Sequence, residues 1–284
     1  MSVPNVSEGV DESAIKAIGR AFAPARLLNV HSDPDHHRSV FTLVSKQGEL
    51  ARALANGAAS VHELVDVSAH DGIHPHVGAI DVVPVVYLSP ADRGAACAEA
   101  LTAADLIARR TGTPVFLYGE LAGGRERAEL RAGGVQGLAE RIASGEHHPD
   151  FGPRELHPTA GATLVSARPP LVAFNVDLAD GSTLDEAKAI AADLRESGGG
   201  LKGVRAIGLW LDARDRAQVS CNVQDPFAIS LAEVVAFVRS RAAVENAELV
   251  GLAPKAAFEG FPEDIEIPGF DPEERLLENV VGLS

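Results

Sequence analysis

The sequence predicts an α+β protein of two βαββαβ-like subdomains, with facing sheets and the helices outside. Three observations predict it. Apolar runs of strand length alternate with stretches of helical spacing in the order β-α-β-β-α-β; that order returns after a Gly/Pro-rich connection; and 284 residues, 46% of them hydrophobic, suffice for two cores of ordinary size. The boundary is set between the subdomains 1–168 and 169–284.

The first element is a short edge strand at Val3 to Asn5. Asp11 then N-caps a helix whose Ala14, Ile15, Ile18, Ala21 and Phe22 recur at helical spacing, and Pro24 ends it. Arg26 to Val30 reads as a strand, His31 to Arg38 as a polar loop, and Ser39 to Val44 as the next strand. Gly48 to Val65 is an Ala-rich helix, followed by a histidine-bearing loop and a strand from Ala79 to Leu88. A helix from Ala91 to Arg110, a strand at Val115 to Tyr118 and a helical region from Arg125 to Ala143 complete the first half, and Gly145 to Pro170 reads mostly as connection. The second half runs strand Leu171 to Val176, helix Leu184 to Arg195, strands Val204 to Trp210 and Ala217 to Val223, helix Leu231 to Arg241 and strand Leu249 to Leu252. Beyond Ala253 four prolines predict irregular chain up to a short helix at Glu273 to Asn279.

Charge excludes some functions. With 25 Lys plus Arg against 40 Asp plus Glu, the net charge is −15, which disfavours nucleic acid and anionic membranes as partners through the overall field. An anionic ligand needs a local basic pocket. Cys97 and Cys221 stand far apart outside any CxxC pattern and read as free thiols of a reducing compartment. Neither a basic, apolar-cored leader nor a bilayer-length apolar stretch is present, so the expectation is a soluble, cytoplasmic protein.

The chemistry concentrates at His70-Asp71-Gly72-Ile73-His74-Pro75-His76, where three histidines precede an apolar strand. Imidazole both accepts and returns a proton near neutral pH, which makes His74 the first candidate for acid/base work. The competing reading is a zinc or manganese site built from His31, His36, His37, His70, His74 and His76 with Asp33 and Asp35. No established ligand spacing is met, because Gly72 and Pro75 oppose a helical HExxH and Asp71 stands where that motif has Glu. A Gly-x-Ser-x-Gly elbow is missing, and Gly198-Gly199-Gly200 follows a helix instead of opening one, as a C-cap does.

Several separate stretches, in order along nearly the whole chain, resemble the formiminotransferase domain family. They are Val3 to Gly9, Leu27 to Val44 with Asp33-Pro34-Asp35-His36, Gly72 to Pro84, Tyr118-Gly119-Glu120, Asp150-Phe151-Gly152-Pro153 and His157 to Ala162. Val172 to Val176, Gln218-Val219-Ser220 with Asn222, and Leu249 to Leu252 extend the match into the second half. The resemblance implies transfer of the formimino group from N-formimino-L-glutamate to N5 of tetrahydrofolate, a late step of histidine breakdown and a branch of one-carbon metabolism. It implies a glutamate formimidoyltransferase with tetrahydrofolate as co-substrate, no metal, and a homodimer. His74, in the matching Gly-x-His-Pro motif, is implied as the catalytic acid/base. The folate-binding stretch is implied to be Gly152, Pro153, Arg154, Glu155, Leu156, His157, Pro158, Thr159, Ala160 and Gly161. His31, Arg38 and His76 are the candidates for substrate contacts, with Arg38 holding a carboxylate and Arg168, Lys202 and Arg205 as weaker cations.

The chain departs from the family pattern at three positions. His76 stands where the family usually has Arg, His37 where bacterial relatives often have Asn, and Asp177 where Asn is common. The first change replaces a permanent cation by a titratable ring. Two alternatives therefore stand beside the leading reading: a formimidoyltransferase for another small amino acid such as glycine, and a folate-binding protein without turnover.

Overall fold

The computed structural model describes residues 1–68, 70 and 72–281. It divides into two compact units, Met1–Pro169 and Pro170–Ser284.

In the first unit the elements are β1 (Asn5–Val6), α1 (Glu12–Ala21), β2 (Arg26–Asp33), β3 (Arg38–Val44), α2 (Leu50–Leu64), β4 (Ile80–Val86), α3 (Arg93–Thr111), β5 (Val115–Leu117), α4 (Arg127–Arg131), α5 (Gly134–Ala143) and β6 (Thr163–Arg168). The sheet order is β2-β3-β1-β4-β6-β5. Its first four strands are a βαββαβ unit, with β1 antiparallel to both β3 and β4. Asp11 caps α1, its carboxylate accepting from the Ser13 and Ala14 N–H groups at 2.8 and 3.0 Å. The main core joins Ile15 and Ile18 of α1, Phe22 at its C-cap, the buried stripe of α2 and the Ala-rich side of α3 to Phe41, Leu43, Val83, Val85, Val165 and Ala167 of the sheet. Alanine spacing lets these helices approach the sheet closely. On the opposite face Val82, Phe116 and Leu164 pack with Leu130 of α4 and Leu138 and Ile142 of α5, so this unit carries helices on both faces of its sheet at the β5 end.

Two expectations change here. The segment read as an edge strand is interior, Asn5 lying between Val40 and Val82, because a very short strand buried on both flanks has no length in which to show its period. Within the stretch read as connection, β6 runs parallel to β4 and β5; buried on both faces, it lacks the alternation that marks a half-exposed strand.

The second unit contains β7 (Val172–Leu178), α6 (Leu184–Leu194), β8 (Val204–Leu211), β9 (Arg216–Val223), α7 (Leu231–Arg239) and β10 (Val244–Val250), then α8 (Pro272–Arg275) and α9 (Leu277–Val281). Its antiparallel sheet has the order β10-β7-β9-β8, the same 4-1-3-2 arrangement as the first four strands of the first unit. Capping boxes start both long helices, Thr183 with Glu186 and Ser230 with Glu233. Phe174, Val176, Leu178, Val219 and Cys221 pack under these helices, and the alternate residues Asn175, Asp177, Gln218 and Ser220 form a polar opposite face.

Candidate functional site

The site is built on one acidic residue in an apolar strand. Asn5 pairs with Val82 and Val6 with Ile80, so Asp81 is the extra residue of a β-bulge in β4. A bulge re-aims its side chain, and here it directs a carboxylate of 0% exposure into protein. Asp81 Oδ1 accepts the Val77 N–H at 2.9 Å, and Oδ2 lies 2.9 Å from Arg38 Nη2 while also accepting from Arg131 Nη2. Burial works to raise the carboxyl pKa, but Arg131 and Arg38 outweigh it and hold Asp81 down at about 2. Arg38, 7% exposed, has its own pKa pulled to about 10 by burial, so it stays charged at neutral pH. Its Nε donates to Asn5 Oδ1 at 3.1 Å.

Around this ion cluster three loops meet. Gly9 passes so close to the Asp33–Arg38 turn that a Cβ there would lie 2.2 Å from Asp33 O. His36 Nδ1 lies 2.9 Å from Asp33 Oδ1. His37 takes a left-handed backbone, φ +47°, a region Asn and His enter more readily than most residues, which accounts for both residue types suiting this position. His70 Nε2 is 3.1 Å from His37 O and its Nδ1 accepts the Gly72 N–H at 3.2 Å, which assigns the proton to Nε2. The His70 ring packs against His37 at 4.6 Å and His76 at 4.2 Å between centroids. Asp71 lies outside the described residues.

His74 sits between these groups, half-buried, its ring centroid 6.2 Å from that of His36. Its Nδ1 is enclosed without a hydrogen-bond partner. Burial first, then the charges of Arg38 and Arg131, push its pKa well below the usual 6.5. The shift favours the neutral imidazole in the folded protein. His76 is also shifted downwards, mainly by burial, and its Nδ1 lies 3.4 Å from His74 O.

The segment from Gly152 to Gly161 spans two environments. Gly152, with φ +82°, turns against Thr113, and residues 152–155 are exposed. Residues 157–161 close a small hairpin, His157 and Gly161 exchanging backbone hydrogen bonds of 3.0 and 2.8 Å, with Thr159 and Ala160 N–H groups donating to His157 Nδ1. This hairpin is fastened to the chain just after His76: Ala162 N–H donates to Val77 O and Ala79 N–H to Ala160 O, each at 2.9 Å. The structure thus brings one end of the segment beside the histidine loop. His157 also meets the His62 ring of α2 at 4.2 Å. His31 is on the edge strand β2, opposite Val40 and two positions before Asp33.

Asp177, whose orientation the sequence leaves open, lies on the polar face of the second unit's sheet and is 3% exposed. It accepts from Gln218 Nε2 at 2.8 Å, with Arg214 Nη1 at 4.0 Å, and burial raises its pKa in spite of both. With Arg214, Arg216, Asn246 and Glu248 it lines a cavity of about 370 Å³.

Among the described residues no group of three or more His, Cys, Asp or Glu side chains is placed to hold a metal ion. No helix of the described residues is long and apolar enough to cross a membrane. Sequence reasoning missed Asp81, Arg131 and Asn5 as parts of this site. A signal for Asp81 existed: one carboxylate within Ile80-Asp81-Val82-Val83 must find a buried cation. Arg131, on a short helix remote in sequence, had no such sign.

Comparison with known proteins agrees with the two-part architecture. The N-terminal subdomain of the formiminotransferase domain matches residues 1–168, and the formiminotransferase domain matches residues 173–260. The chain is 37% identical to a glutamate formimidoyltransferase of Streptococcus pyogenes serotype M1, over 98% of this chain and 96% of that protein. It is 33% identical to one from Thermoplasma acidophilum, over 97% and 95%. A formimidoyltransferase-cyclodeaminase of Sus scrofa is 38% identical over 99% of this chain, which spans 56% of that longer protein.

Proposed function

The chain belongs to the formiminotransferase domain family, and on that premise we propose that it transfers the formimino group of N-formimino-L-glutamate to N5 of tetrahydrofolate, releasing glutamate, with His74 as the acid/base. The observation that carries this reading is the setting of His74: a half-buried imidazole whose Nδ1 is enclosed without a partner and whose pKa is lowered by burial and by the charges of two arginines that share one carboxylate.

N5 attacks the amidine carbon to give a tetrahedral adduct. The proton that N5 loses passes to the imidazole and then to the glutamate nitrogen, after which the bond from carbon to that nitrogen breaks. A neutral imidazole suits the first transfer. Once protonated among like charges, it becomes a strong acid for the second. Neither a covalent nucleophile nor a metal is needed by this chemistry. The positive field of Arg38 and Arg131 gives an anionic donor a favourable place in a chain of net charge −15.

In this reading Gly152 to Gly161 lines the folate site, and His31, Arg38 and His76 face the substrates. Residues 1–168 and 169–284 are the two subdomains of one homodimeric transferase, residues 282–284 lying outside those described. The reaction belongs to histidine breakdown, and the free thiols Cys97 and Cys221 suit the cytoplasm.

The test is transfer from formiminoglutamate to tetrahydrofolate, followed by absorbance of the folate product, for the wild type and His74→Ala. The expected loss in the variant is about 10²–10⁴-fold in kcat with tetrahydrofolate binding retained. Wild-type protein that binds tetrahydrofolate yet transfers nothing from formiminoglutamate would overturn the proposal, and transfer from formiminoglycine alone would replace the donor.

A further inference from the structure

Two guanidinium groups converge on a single oxygen, Asp81 Oδ2, and they differ in how completely they are satisfied. Arg38 donates from Nη2 to that oxygen and from Nε to Asn5, so it is braced from two sides. Arg131 donates from Nη2 to the same oxygen, while its Nε is enclosed without a partner. A buried N–H with no acceptor costs about 1–3 kcal/mol, so Arg131 is the less completely satisfied of the two.

The charges point the same way. Two cations meet one carboxylate in an almost dry environment, and among the described residues no second carboxylate lies within ion-pair distance of either arginine. One positive charge is left over, inside a chain of net charge −15. Arg131 side-chain exposure is 12% against 8% for Arg38, so of the two guanidinium groups Arg131 is the more open to a ligand. Both arginines are close enough to His74 for their charge to act on its ring.

We infer that Arg131 is a substrate-binding residue that takes the side-chain carboxylate of a dicarboxylic formimino donor, and thereby sets a preference for formiminoglutamate over donors bearing one carboxylate. This rests on the transferase reading above for the identity of the donor. Beyond the substrate contact proposed for it above, Arg38 is an internal strut: it holds Asp81, and Asp81 in turn aims Arg131. The fork of a guanidinium matches a carboxylate in a way that a lysine ammonium does not.

The experiment titrates glutarate, and separately butyrate, into the wild type, Arg131→Gln and Arg131→Lys by calorimetry, and measures KM and kcat with formiminoglutamate and formiminoglycine. The wild type binds glutarate more tightly than butyrate. Arg131→Gln weakens glutarate by about 30-fold or more, the loss typical of removing one partner of a buried charge pair. It raises KM for formiminoglutamate by a similar factor and leaves KM for formiminoglycine far less changed, while any change in kcat, which follows from the lost charge near His74, is the same for both donors. Arg131→Lys, which keeps the charge beside Asp81 and serves if the Gln variant does not fold, falls between the two. Glutarate affinity equal in the wild type and the Lys variant, no preference of the wild type for glutarate, or equal losses with both donors would each overturn the inference. A wild type that binds glutarate through Arg131 but transfers no formimino group refutes the transferase reading and leaves the anion site standing.

Discussion

Arg38 Nη2 and Asp81 Oδ2 lie 2.9 Å apart in the interior of the first unit, tying the start of β3 to the bulge of β4. The pair joins the Asp33–Arg38 turn to the strand that the histidine loop enters. It also charges the surroundings of His74, because Arg38 is held ionised although burial pulls its pKa to about 10.

Asp81→Asn removes the charge and leaves two buried guanidinium groups without it. The expected loss is about 3–5 kcal/mol, read from urea unfolding at neutral pH. The folded carboxyl titrates at about 2 against 3.8 unfolded, so its stabilisation is full above the unfolded pKa and disappears as pH falls through the folded one. A change within about 0.5 kcal/mol, as for an ordinary surface substitution, would show that the cluster does not support the fold.

His74 carries a pH signature. Its folded pKa is below 6.5, so the acid limb of kcat against pH has its midpoint below that value. Below the unfolded pKa the unfolded chain binds a proton that folded His74 refuses, so this residue lowers stability as pH falls. His74→Gln should therefore lose less stability than the wild type between pH 7 and 5. A kcat midpoint above 6.5 contradicts the electrostatics described here.

Gly161 holds the hairpin against the strand. Its φ is +64°, and a Cβ would lie 2.2 Å from Val77 O. Gly161→Ala should cost more than the about 1–2 kcal/mol of left-handed backbone alone, with tetrahydrofolate affinity falling in parallel. Gly94→Ala is the control, since a Cβ there meets nothing within 4 Å and the backbone is ordinary helix. Equal melting temperatures for the two variants would refute the packing account.

Asp177→Asn should stabilise the protein at neutral pH. Burial raises the pKa of Asp177, so its ionised form is the less favourable one in the fold. The wild type recovers the difference as pH falls through the folded pKa, and the gap between the two proteins narrows there. Asn keeps an oxygen that can accept from Gln218 Nε2, as Asp177 does at 2.8 Å. Comparative melts from pH 7 to 4 test this, and a gap that widens on acidification sinks it.

Much of the architecture was readable from pattern. The Asp11 cap, the helical stripe of Ile15 and Ile18, and the alternation of Val172 to Leu178 all declare a local period, and local periods depend only on near neighbours. Strands without a visible period were harder. β1 is too short, and β6 is buried on both faces.

The sequence by itself determined the repeated βαββαβ order, the His70 to His76 loop and the resemblance that singled out His74 and residues 152–161. Tertiary structure alone decided which distant side chains meet. It turned Asp81 inward through a bulge, brought Arg38 and Arg131 onto one oxygen, and so placed the His74 imidazole, its pKa lowered, in a positive field. The reason is physical: a pKa depends on burial and on charges a few ångströms away, and those neighbours come from β3, α4 and β4, which no window of sequence brings together.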